Sequence, residues 1–233
     1  MATFTVEGDI DPFLRCEMDG EAIYCESDAM AMMDDALELS ATTRGGIGEG
    51  LKRALLLGES FFLQKIETAR GPGSCLLAPA FCGGLKVIDL ERGQRVMVGD
   101  RSFVACADGV EIRRSFQRLG QAFFGQTGGL VIMSAEGKGQ LAVAGKGKIA
   151  TVKCSPANPL TVDAGHVVAW DGNLGYEITL KTERRRARSM ASTLANSAFS
   201  GEGIVLRFTG EGRIHICSRP KPARAQNAVA QGM

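Results

Sequence analysis

Short apolar runs broken by polar, glycine-bearing steps recur along the whole chain, at a spacing of roughly ten residues. Alternation is plainest in Arg95-Val96-Met97-Val98-Gly99 and Tyr176-Glu177-Ile178-Thr179-Leu180. A pleated strand points successive side chains to opposite faces, so such runs predict half-buried β-strands. Helical periodicity is scarce. Residues 49–56 and 188–194 predict short turns of helix, and residues 1–11 predict an extra strand through TFTVEG.

The strands repeat. Gly71-Pro72-Gly73, Gly137-Lys138-Gly139 and Gly210-Glu211-Gly212 fall roughly seventy residues apart, each between two apolar runs (61–66 and 75–77, 130–133 and 141–144, 204–208 and 214–217). Upstream, 23–25, 96–98 and 160–162 correspond, and each is followed by a turn and a second apolar run ending near an acid, at 29–34, 103–108 and 167–171. The expected fold is all-β: a sandwich or rolled sheet with three internal repeats of two hairpins each, at about 12–80, 84–145 and 148–219. Residues 1–219 then form a single compact triplicated domain. The run 220–233 has prolines, small residues and no apolar period, and is expected to be a disordered tail.

Composition supports this picture. The chain has 233 residues, 45% of them hydrophobic, enough for a sizeable core; its 30 glycines favour tight turns over long helices. A formal net charge of +1 creates no global field toward nucleic acid or acidic membrane, and no apolar run approaches the ~20 residues of a membrane-spanning helix. The first residues carry Glu7, Asp9 and Asp11 and no hydrophobic signal core, so a cytoplasmic location is expected. Seven cysteines without a Cys-x-x-Cys pair or zinc spacing read as reduced core residues.

Candidate chemistry is thin. A dinucleotide fingerprint needs its glycines to open a helix, and a phosphate loop needs Gly-Lys-Ser or Gly-Lys-Thr; here an apolar strand follows each Gly-x-Gly. Gly71, Gly73, Gly137, Gly139, Gly210 and Gly212 therefore read as turn residues, and no cofactor is expected. Glu59 and Glu202 follow matching glycines in the first and third units; paired carboxylates can serve as acid and base, although an acid at a strand edge is more often solvated. Asp163 and His166 flank Ala164-Gly165, where a histidine either works with a nearby acid or bonds the backbone of a turn. Arg184, Arg185 and Arg186, with Arg219, Lys221 and Arg224, mark a basic face for RNA, anionic lipid or an acidic partner, or else a solvated loop tip. No aromatic residues interleave it, as base stacking would want.

Residues 45–63, Gly71-Pro72-Gly73, 160–170 and 201–210 together resemble, in order, the altered-inheritance-of-mitochondria family. The resemblance implies a fold like that of the trp RNA-binding attenuation protein, repeated within one chain, and implies no catalytic residues. Fungal members are associated with mitochondrial inner-membrane organisation; without a targeting segment this chain looks like a prokaryotic version. Cys217-Ser218-Arg219 and the basic run at 184–188 depart from the family's usual pattern. The leading expectation is a non-enzymatic scaffold acting through protein contacts or self-association. A small-ligand or RNA-binding module is the alternative, and a hydrolase or lyase built on His166 with Asp163 or Glu202 is the third.

Overall fold

The structure is a computed structural model and describes residues 1–42, 63–118, 129–180 and 204–221. Its first strand is β1 (Thr3–Glu7). Three sets of six follow. The first set is β2 (Phe13–Met18), β3 (Ala22–Glu26), β4 (Met30–Met33), β5 (Leu37–Thr42), β6 (Leu63–Thr68) and β7 (Gly73–Leu77). The second is β8 (Gly83–Leu90), β9 (Arg95–Val98), β10 (Phe103–Ala107), β11 (Val110–Arg118), β12 (Gly129–Gly137) and β13 (Gly139–Lys146). The third is β14 (Ile149–Cys154), β15 (Leu160–Asp163), β16 (Val167–Asp171), β17 (Gly175–Leu180), β18 (Ile204–Thr209) and β19 (Gly212–Cys217), with a 3-10 turn at Ala164–His166. The all-β expectation, the extra first strand and the threefold recurrence are all seen.

One pairing rule governs every unit. The first, sixth and third strands form one antiparallel sheet (β2-β7-β4, β8-β13-β10, β14-β19-β16), and the fourth, fifth and second form another (β5-β6-β3, β11-β12-β9, β17-β18-β15). The third strand breaks register at the same place each time, between Met30 and Met32, Phe103 and Ala105, and Val167 and Ala169. Such a bulge bends the strand and strengthens its twist, which suits a rolled unit.

Units are joined by sharing sheets. The second strand of one pairs with the third strand of the next: β3 with β10, through Cys25–Ala105, Tyr24–Cys106 and Ile23–Ala107, and β9 with β16, through Val98–Ala169, Met97–Trp170 and Val96–Asp171. Four successive sheets result, of four, six, six and three strands, with β1 added outside β2. Three cores lie between them. The first gathers Leu14, Ile23, Leu37, Ile66 and Leu77, and the middle one Val98, Phe103, Val110 and Leu141. The third packs Trp170 edge to face on Phe208 and Tyr176, at centroid distances of 5.5 and 5.3 Å.

The two-hairpin unit expected from the sequence is corrected by this topology. Each Gly-x-Gly step joins the fifth strand to the sixth, and those strands lie in different sheets, so it is a corner between layers. Among the described residues, the only sequential strands of a unit that pair are the fourth and fifth. Gly71, Gly137, Gly139 and Gly210 have φ of +148°, +128°, +146° and +94°, a region that favours glycine. Gly73 and Gly212 do not adopt it; they are small because the layers close on them. A Cβ at Gly212 would lie 2.9 Å from Leu174 Cγ.

The helices expected at 49–56 and 188–194 lie outside the described residues. So do Glu59, Glu202, Arg184, Arg185, Arg186 and residues 222–233.

Candidate functional site

Polar groups gather where the second and third units meet. Asp163 ends β15 and caps the 3-10 turn, its Oδ1 accepting the Gly165 N–H at 2.9 Å. His166 closes that turn 2.7 Å, through Nδ1, from the Cys217 carbonyl of β19. A carbonyl only accepts, so Nδ1 carries the proton and the tautomer is set. The structure thus brings Asp163 and His166 together, each bonded to backbone.

Lys221 lies beneath them. Its N–H donates to Gly165 O at 2.8 Å, and its ammonium donates to Asp100 O, Ser102 Oγ and Val167 O at 2.7, 2.6 and 2.6 Å. Three donors meet three acceptors, which lets a cation stay in a nearly sealed site. Burial pushes its pKa down to about 8, against the attraction of Cys217 and Asp100. Two expectations are corrected here. Lys221 does not contribute to a basic face, and the chain is docked as far as residue 221, because an anchored ammonium holds it against the junction.

On the same junction, a cleft of about 530 Å³ opens over Arg95, Glu136, Asp171 and Arg213, with Asp89 and Asn173 nearby. Arg95 Nε is 2.5 Å from Glu136, and Arg213 grips Asp171 with Nε and Nη2 at 3.1 Å each. Asp171 also accepts the Arg213 N–H at 2.8 Å, as Asp34 accepts that of Ser74 at 2.7 Å in the first unit. Asp171 ends the third strand of its unit and Asp34 follows that of its own, and both pin the start of the sixth. Both guanidinium groups in the cleft are therefore engaged by carboxylates, which leaves little pull on an anionic ligand. Among the described residues, no group of three or more His, Cys, Asp and Glu side chains is placed to hold a metal ion.

Sequence reasoning singled out the acids that close each apolar run but not their role, since the partner backbone lies some forty residues away. It placed Lys221 on a basic face and missed its burial, because its neighbours in sequence carry no burial signal.

These features describe a triplicated all-β protein of sheet-sharing rolls whose polar residues mostly brace its junctions. The chain belongs to the mitochondrial biogenesis AIM24 family, whose model matches residues 4–219. It is similar to an uncharacterised protein of Streptococcus pyogenes serotype M6, 28% identical over 224 residues, covering 92% of this chain and 85% of that one. It also resembles the crystal structure of a Streptococcus pyogenes protein from a structural-genomics programme: TM-score 0.74, 26% identity, 94% of each chain covered.

Proposed function

We propose that this protein is a non-enzymatic interaction scaffold of the cytosol that works through protein contacts as an oligomer. The observation that carries this reading is how the polar groups of the junction are used. His166 and Asp163 are tied to backbone, and the cleft arginines to carboxylates, so the described groups brace structure. Meanwhile large apolar side chains stand exposed at Val6 and Ile10 before the first unit and at Phe13 and Met32 on it, as a contact surface requires. No helix among the described residues is long and apolar enough to cross a membrane.

Size exclusion with light scattering tests the oligomer: masses above one chain are expected, and a monomer at every concentration overturns it. Untargeted substrate screening of wild type against His166→Ala tests the rest. Identical traces are expected, and a reaction lost in the variant would show an enzyme. Filter binding to RNA over a salt series is expected to give no retention; salt-sensitive retention would favour the RNA-binding alternative.

A further inference from the structure

The three units share a plan but differ in what fills their cores. Two places after each corner glycine, the sixth strand carries a buried residue that lies opposite one on the first strand: Cys75 opposite Cys16, Leu141 opposite Ile88, Ile214 opposite Val152. On the second strand, Cys25 stands where the other units have Val98 and Val162. The first core thus holds three thiols at places that are branched aliphatics elsewhere, and all three are fully buried. We propose that Cys16 and Cys75 form a reversible disulfide between β2 and β7 when the protein meets a peroxide, which makes the first core a redox site.

Three observations carry it. First, the two residues are register partners on neighbouring antiparallel strands, and both side chains enter the same core. Directly opposed residues have Cα atoms ~4.5 or ~5.5 Å apart, according to their place in the ladder, and a disulfide spans about 4.4–6.8 Å. The bond therefore forms without moving the strands. Second, the thiols already touch: Cys16 donates its S–H to Cys75. That donation holds the Cys75 thiol below its usual range although burial opposes it, and the same bond, with burial, pushes Cys16 up. Cys75 is then the sulfur that ionises first.

Third, the remaining thiol of this core is out of reach. Cys25 belongs to β3, in the sheet that faces β2 and β7 across the core. Facing sheets pack ~10 Å apart, beyond the ~7 Å at which two cysteines can still be bridged. Burial also pushes the Cys25 thiol up to about 12, so it stays protonated. The pair itself is flanked in register by Phe4 and Met33, which offer it no other partner for a proton.

The step balances with the peroxide as its oxidant. The Cys75 thiolate attacks one peroxide oxygen, the O–O bond breaks, and the departing hydroxide takes up the thiol's proton as water, leaving a sulfenic acid. The Cys16 sulfur then attacks the Cys75 sulfur: the S–S bond forms, the S–O bond breaks, and hydroxide leaves with the Cys16 proton as a second water. Two thiols lose two electrons, and the peroxide is reduced to two waters. A dithiol reverses the bond by exchange. Entry comes from the fold, since the first unit shares only one six-stranded sheet and can open while the rest holds. Once made, the bond closes a loop of about sixty residues that contains β3 to β6, so the oxidised unit opens less readily.

The test uses the full chain with Cys82→Ser, which removes the exposed thiol. The folded protein is treated with hydrogen peroxide, unfolded in an alkylating reagent and weighed. Four of the six remaining cysteines should take the label, non-reducing peptide maps should join Cys16 to Cys75, and dithiothreitol should restore all six. The oxidised chain should melt roughly 5–10 °C higher by circular dichroism, and an unchanged melt overturns the locking of the unit. Cys16→Ile with Cys75→Leu installs the second unit's pair; this variant should fold with the same spectrum and keep its four thiols in peroxide. A bond to Cys25 overturns the assignment of the pair. A folded chain that keeps six thiols overturns the peroxide reaction, and one that also emerges reduced after refolding in oxidised glutathione, where the core is open to exchange, overturns the bond itself.

Discussion

His215 is buried in β19 between Thr151 of β14 and Ala169 of β16, with Nδ1 2.9 Å from the Thr151 hydroxyl. Burial pushes its pKa down to about 4 from an ordinary 6.5. Between those values the unfolded chain holds a proton that the folded chain refuses, so unfolding free energy falls as pH drops from about 6.5 to about 4. The loss should be on the order of 2 kcal/mol, after discounting for partial screening. Denaturant midpoints at several pH values check it, and His215→Ala should flatten that slope, since Ala142 fills the equivalent place in the second unit. The cysteines respond to burial as well. Six are buried, with Cys25 raised to about 12 and Cys217 also raised, while Cys82 is exposed. A thiol reagent should label one cysteine per folded chain, none in Cys82→Ser, and all seven of the wild type once unfolded.

Among the elements, the corners between layers bear close contacts of unequal severity. A Cβ at Gly137 would stand 2.2 Å from Gly109 O, at a φ that side chains rarely adopt, whereas the clash at Gly212 is with the side chain of Leu174. Gly137→Ala should therefore cost more than Gly212→Ala in thermal melts, despite identical chemistry, with the former on the order of 2–3 kcal/mol. Equal costs would contradict the corner geometry. Lys221→Met keeps the bulk of the clamp but withdraws three donors from Asp100 O, Ser102 Oγ and Val167 O; about 2–3 kcal/mol should be lost. The strands themselves were legible because alternation is local: 96–98, 167–171 and 204–208 are strands, as their patterns predict. Their partners were not, because a glycine corner and a glycine hairpin read alike over a few residues. Lys221 was misplaced for the same reason, its acceptors lying 54 to 121 residues away. Of the site, Asp163 and His166 were found from their turn, while the use of Asp171 needed its partner strand.

At the scale of the whole molecule, shared sheets decide how the units depend on one another. The middle unit gives strands to both six-stranded sheets, whereas the first and third each share only one. Stability in such an array is close to a sum of unit and junction contributions, so an end unit can loosen while the rest holds, and the middle unit cannot. Trp170, the chain's single tryptophan, lies in the third core and reports on that unit alone. Phe208→Ala removes a ring packed edge to face on Trp170 and should cost about 3–5 kcal/mol, all of it in the third core. Its tryptophan fluorescence transition in denaturant should then precede the loss of β-sheet circular dichroism. Phe103→Ala opens the middle core between both six-stranded sheets, so the two signals should shift together. Coincident transitions in Phe208→Ala would mean that the shared sheet couples the third unit to its neighbour more strongly than its one junction strand pair, β9 with β16, accounts for.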